Sequence, residues 1–266
     1  MTLLFPFVAF AVGAIVGSFL NVVIHRVPRD ESIVFPASRC PHCGTAIKPY
    51  DNVPILAWLW LGGKCRACRG PISLQYPLVE LANGLFYLAI FQRTGLTPGF
   101  IAIAALVSMT IALIYIDLEW QILPDVIDLP GVVVGLVVGA LHLGALYPHF
   151  ILSKTLLESV AGAALGAGVL LAIGMSYKLL RKVEGMGLGD VKMMAMLGAV
   201  LGWEPLFPLL LIASIAGSIV GVIVAAKSPD GLKVAVPFGV FLGLAFLVVM
   251  FFGPTLWEWY LALLLR

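Results

Sequence analysis

Apolar residues fill most of this chain in long blocks, without the strict alternation of a half-buried strand or the single stripe of a surface helix. Eight apolar segments stand out, at residues 3–24, 76–91, 98–116, 126–146, 157–180, 190–203, 206–226 and 236–252. A helix needs about 17 to 25 residues to cross the hydrocarbon layer of a bilayer, so these segments predict spanning helices, the second and sixth being short. A last stretch, 254–265, holds Trp257, Trp259 and Tyr260 and predicts an interfacial helix. The first segment has no basic run ahead of it and exceeds a typical signal-peptide apolar core, so it reads as a retained span. The pattern therefore predicts an all-α polytopic membrane protein of about eight transmembrane helices. One long polar interval divides it into a first helix (1–24), an insert (25–75) and a membrane core (76–266).

Composition agrees. The chain has 266 residues, 61% hydrophobic and only 11% charged, with a mean hydropathy of +1.07, far from a soluble domain. Lys and Arg collect on the cytoplasmic side of membrane proteins. With the N-terminus outward and eight spans, the inner segments hold Arg26, Arg29, Arg39, Lys48, Lys64, Arg66, Arg69, Lys178, Arg181, Lys182, Lys192, Lys227 and Lys233, leaving Arg93, Lys154 and Arg266 outside. The insert is then cytoplasmic. The net charge of +2 says little about partners, and no basic stripe with interleaved aromatics points to nucleic acid; membrane lipid is the surrounding medium.

The insert contains all four cysteines, as "CPHC" at 40–43 and "CRAC" at 65–68. Two C-x2-C pairs present four thiolates to one tetrahedral ion, so Cys40, Cys43, Cys65 and Cys68 read as ligands of a structural Zn2+ in a zinc-ribbon-like domain. Disulfides or a redox pair are the alternative, which a reducing cytoplasm disfavours. His42, between two ligands, could compete for the ion or simply face solvent. Gly44, Gly62, Gly63 and Gly70 suit tight turns beside the pairs.

Ionisable residues at membrane depth are functional candidates. Glu80, Asp117, Asp125, Asp128 and Asp190 all fall at the cytoplasmic ends of their segments. Asp117 closes an apolar run at the hydrocarbon edge, whereas Asp125 follows Pro124 and suits a helix N-terminus. Glu119 belongs with the polar turn beside Gln121. In "GLGD", Gly187 and Gly189 remove side chains beside Asp190, giving clearance for a substrate backbone, the alternative being a loose helix entry with Asp190 as its cap. Two carboxylates at low dielectric share a proton; one activates water while the other polarises a peptide carbonyl. The scattered histidines at 25, 42, 142 and 149 offer no H-E-x-x-H, Ser18 and Ser218 lack a histidine partner, and no P-loop is present.

Several stretches, in order along the whole chain, resemble the bacterial prepilin peptidases, also called type IV prepilin leader peptidase/N-methyltransferases, within the GxGD aspartic proteases. They are "VGSFLNVVIHRVP" (16–28), the two cysteine pairs, "YPLVELANG" (76–84), "IDLEWQILPD" (116–125) and "GMGLGDVKMMAMLGA" (185–199). The resemblance implies that Asp117 and Asp190 are the catalytic pair; Asp125, an acid at the same face, is a possible accessory. "VPFGVFLG" (236–243) keeps Pro237, Phe238 and Gly239 but has Val240 where the family often has proline, a change read as one of span packing.

The resemblance further implies substrates: prepilins and pseudopilins, whose short basic leader is cut from a hydrophobic helix at the inner face of the bacterial inner membrane. It implies methylation of the new N-terminal amine from S-adenosyl-L-methionine, for which the chain offers no G-x-G-x-x-G fingerprint. Glu80 and Asn21 are possible contributors to substrate or cofactor binding, with interhelical hydrogen bonding the equal alternative. Two other classes compete: an ion-coupled transporter using the membrane aspartates, which would want midplane acids and an inverted repeat, and a membrane thiol oxidoreductase using the C-x-x-C pairs.

Overall fold

The computed structural model describes residues 4–182, 187–228 and 236–264, the side chains from 257 onward excepted. The described residues contain no strand, only helices and turns. In chain order the helices are α1 (Leu4–Arg26), α2 (Leu56–Trp60), α3 (Gln75–Thr94), α4 (Pro98–Trp120), α5 (Asp125–Ala140), α6 (Leu143–Leu146), α7 (Leu156–Arg181), α8 (Leu188–Leu201), α9 (Leu206–Lys227) and α10 (Phe238–Leu264). Each of the eight apolar segments is thus helical, that at 126–146 in two pieces. Five of them, in α1, α4, α7, α9 and α10, are long and apolar enough to cross a membrane. With 16 and 14 residues, α5 and α8 are shorter than a bilayer-spanning helix, so the expected count of eight spans does not follow from length and hydropathy.

Two expectations about boundaries are corrected. The segment 126–146 does not hold one helix: α5 stops at Ala140, and His142, with φ 54°, turns the chain into α6. The separate interfacial helix at 254–265 is absent, because α10 continues through Pro254 to Leu264. A proline inside a helix breaks it only where the freed carbonyl finds no other partner, and membrane helices often accommodate one. The side chains of Trp257, Trp259 and Tyr260, expected as interfacial anchors, lie outside the described residues.

The chain packs as two units, Met1–Ala112 and Leu113–Arg266. In the first, α1 lies on α3, and buried polar groups knit the helices. Asn83 donates to the Gly13 carbonyl at 2.7 Å and accepts from Ser108 at 3.0 Å, while Ser108 also meets the Tyr87 hydroxyl at 3.1 Å. Every group in that network is satisfied, which an apolar surrounding demands.

In the second unit, α7 and α8 touch backbone to backbone: a Cβ at Gly162 would lie 2.1 Å from the Gly198 carbonyl oxygen. Such closeness admits only glycine on both helices. On another side, α5 meets α8 where Gly135 faces Ala199, and Ser159 of α7 donates to the Gly135 carbonyl at 3.2 Å. These contacts pin the C-terminal end of α8.

Candidate active site and metal centre

Asp117 and Asp190 both belong to the second unit and come from different helices. Asp117, near the end of α4, is 5% exposed. Its Oδ2 accepts the Val240 N–H at 3.0 Å, and the Gly239 N–H also reaches the carboxyl. The first amides of a helix have no partner within it, and those of α10 are completed here by a carboxylate 123 positions away in the chain.

Asp190 is the third residue of α8, half-buried, and its carboxyl takes the N–H of Gly187. That is the return half of a capping box. The N-cap itself is Gly187 and not Asp190, and the bond fixes the direction of the Asp190 carboxyl. The charge of Asp117 acts on Asp190, so the two carboxyls share one site. Leu123 stands between the openings of α8 and α10: its side chain lies 3.0 Å from the Cβ position of Gly189 and equally close to that of Gly239.

The two glycines before Asp190 differ. A Cβ at Gly189 would press on Leu123, so that glycine serves packing on this side. At exposed Gly187 a Cβ would meet, among the described residues, only Asp190 Oδ2 at 3.8 Å and the Gly189 N at 3.9 Å. The first glycine of the motif, Gly185, lies outside the described residues.

Asp125 stands apart. It is exposed, and both its oxygens pair with Lys192 Nζ, at 2.6 and 2.8 Å. Asp128, one turn on, is completely buried, and neither oxygen has a hydrogen-bond partner among the described residues. In the first unit, Glu80 accepts the N–H of Ile55 at 2.7 Å and also bonds Ser18, while Asn21 donates to the carbonyls of Gly17 and Tyr76. Glu80 thus ties α3 to α1 and the insert, and Asn21 ties α1 to α3.

Gly239 and Val240 were not legible as site residues. A Cβ at Gly239 would lie 2.8 Å from Asp117 Oδ2 and 3.0 Å from Leu123 Cδ1. The signal was an apolar helix opening Pro-Phe-Gly, which leaves bare amides at its start. Gly239→Ala displaces the Asp117 carboxyl; since small misplacements of a reacting group cost about 10²-fold, a catalytic Asp117 predicts a kcat roughly 10- to 100-fold lower with KM little changed. Steady-state kinetics on the purified variant checks this.

In the insert, the two cysteine pairs form matching turns. The N–H of Cys40 bonds Thr45 O and that of Cys65 bonds Gly70 O, with bridges Arg39 to Ala46 and Lys64 to Pro71. The residue after each second cysteine, Gly44 or Arg69, has positive φ. All four Sγ atoms lie within 4.8 Å of one another, and those of Cys40 and Cys68 are 3.9 Å apart. Zinc–sulfur bonds of about 2.3 Å in a tetrahedron put sulfurs about 3.8 Å apart, so the four cysteines can bind a metal ion of that kind. A Thr45 hydrogen bond lowers the Cys43 thiol to about 6, and backbone amides of Cys68 and Ala67 lower Cys65. Although the Gly70 N–H favours its thiolate, Cys68 is pushed up to about 11 by desolvation and the neighbouring thiols. His42 is exposed and outside the sulfur cluster, its ring against the Cβ position of Gly70.

With this geometry in place, similarity to other proteins can be set beside it. Residues 11–94 match the family described as Bacterial Peptidase A24 N-terminal domain, and residues 104–222 match the Type IV leader peptidase family. The first match contains the four cysteines and the second contains Asp117 and Asp190. The chain is 36% identical over 282 residues to a protein of Aeromonas hydrophila named "Prepilin leader peptidase/N-methyltransferase", covering 95% of this chain and 92% of that protein. A protein of Myxococcus xanthus (strain DK1622) with the same name is 41% identical, covering 83% and 63% respectively. One of Pseudomonas aeruginosa, again with that name, is 35% identical, covering 94% and 91%. No solved structure matches the chain.

Proposed function

We propose, from the premise that this chain belongs to the type IV leader peptidase family, that it is an aspartic endopeptidase of the bacterial inner membrane. It removes the short basic leader of type IV prepilins and pseudopilins at the cytoplasmic face and then N-methylates the new N-terminus. The observation that carries the mechanism is the pairing of Asp117, gripped by the first amides of α10, with Asp190 at the mouth of α8.

The chemistry follows from one proton shared by two carboxyls. The ionised member takes a proton from water, whose oxygen attacks the scissile carbonyl carbon. The protonated member gives its proton toward the carbonyl oxygen. As the C–N bond breaks, a proton passes to the departing nitrogen. The leader leaves with a new carboxylate and the pilin keeps a new amine. Gly187 puts no side chain beside Asp190, which suits an extended substrate backbone alongside that carboxyl. S-adenosyl-L-methionine supplies the methyl group that the new amine accepts.

In this reading residues 1–24 are the first transmembrane helix, 25–75 a cytoplasmic metal domain and 76–266 the peptidase core, with the N-terminus outward. Cys40, Cys43, Cys65 and Cys68 hold Zn2+, whose contribution is structural. The test is incubation of the purified protein with a prepilin and S-adenosyl-L-methionine, followed by mass measurement. Loss of the leader and gain of one methyl are expected; an uncut prepilin overturns the peptidase reading, and a cut but unmethylated product overturns the second activity alone.

A further inference from the structure

The dyad leaves one acid of the site unused. Asp128 sits in the first turn of α5, three residues after Asp125, with 0% of its surface exposed and no partner for either oxygen among the described residues. Buried carboxyls in folded proteins are nearly always hydrogen-bonded, and an ionised one without a counter-charge is far costlier still. Residues that break such a local rule tend to serve function rather than stability.

Its electrical surroundings point to what that function is. The charged groups whose fields reach Asp128 are Asp125 on its own helix and Lys192 and Asp190 on α8. Lys192, the sole cation among them, is held by Asp125. On α7, which runs antiparallel to α5, the charged residues at that end, Lys178, Arg181 and Lys182, are exposed. From α4, Asp117 acts on Asp190, and Glu119 is exposed. Among the described residues, Asp128 therefore lies within the field of Asp190 and has no cation that another acid does not already hold.

We infer that Asp128 is a positioning residue for the reaction proposed above: a buried acid that, as pH rises, loses its proton before the dyad gives up the one it shares, and so sets a negative charge near Asp190. That charge opposes removal of the proton the dyad must share, because each new anion makes further ionisation nearby less favourable. Activity then persists to higher pH than the dyad alone would allow. The inference rests on the dyad reading.

The test is the rate of leader removal from a prepilin by purified full-length enzyme between pH 5 and 10. Asp128→Asn keeps size and polarity but cannot ionise. The expected result is an unchanged acid limb, with an alkaline limb moved down by about half to one pH unit, and Asp128→Glu restoring it. A purely structural role would alter thermal stability and leave the limb in place. An alkaline limb coincident with that of the unaltered enzyme overturns the proposal. So does loss of cleavage at every pH with normal thermal stability, since Asp128 would then be a reacting group. If the Asn protein does not accumulate in the membrane, Asp128→Ser is the second neutral variant; failure of both to fold also overturns the proposal. Asp117→Asn and Asp190→Asn run in the same series: cleavage by either sinks the dyad itself, whereas an unmoved limb in Asp128→Asn sinks only this inference.

Discussion

Asp190→Asn and Asp117→Asn each abolish leader removal, by at least about 10³-fold, in protein that still inserts and folds. Asparagine is the informative replacement because it preserves the structural duties of both positions. Its amide oxygen can still accept the Val240 N–H that Asp117 takes at 3.0 Å. Likewise an amide at 190 can still take the Gly187 N–H. What is lost is the ability to hold and release the shared proton. A role in capping alone predicts near-normal cleavage by both Asn variants; the dyad predicts none. Asp125→Asn gives the contrast. Its exposed pair with Lys192 belongs to a class of ion pairs worth about 0 to 1 kcal/mol, so the loss of rate is far smaller. Full processing of a prepilin by either dyad variant, measured by mass, would end the assignment.

The place of Asp117 and Asp190 at the ends of apolar runs was legible in the sequence, and their company was not. Asp117 closes one apolar run and Asp190 opens another, which hydropathy alone shows. The donors to Asp117 come from Gly239 and Val240, and nothing local in "IYIDLEW" signals that a distant helix will point its bare amides there. Leu123 looks like an ordinary turn residue, yet it fills the gap between Gly189 and Gly239. Gly189 itself read as open clearance, because sequence shows the missing side chain but not the neighbour that occupies its place. Asp128 shows the same limit in reverse: an acid in a helix's first turn suggests a favourable dipole contact, and only packing reveals that its oxygens are sealed and unpartnered. The helices were easier. Eight apolar blocks became α1, α3, α4, α5, α7, α8, α9 and α10, while the Pro254 step misled because a proline's cost depends on what surrounds it.

Removing the metal from the insert unfolds it while leaving the membrane helices in place. The reason is how little else holds residues 30–74 together: only Cys40, Ala57 and Gly63 are buried there. So small a core cannot offset the conformational entropy of ordering the segment, whereas zinc bound by such a peptide contributes about 10 to 16 kcal/mol of apparent binding energy. The helices depend instead on contacts such as Gly162 against Gly198 and the Asn83 network, none of which involves the insert's sulfurs. Limited trypsin digestion reads the difference, since Arg39, Lys48, Lys64, Arg66 and Arg69 all lie in the insert. Metal-loaded protein resists; after chelation, or with Cys40 and Cys65 both replaced by Ser, cutting between 39 and 69 accelerates by about tenfold or more. Ligation also needs thiolates, so acidification, which protonates the four sulfurs, releases metal and raises digestion, and returning to neutral pH with zinc reverses both. Equal resistance of the loaded and stripped proteins would mean that the insert folds without its four cysteines acting as ligands.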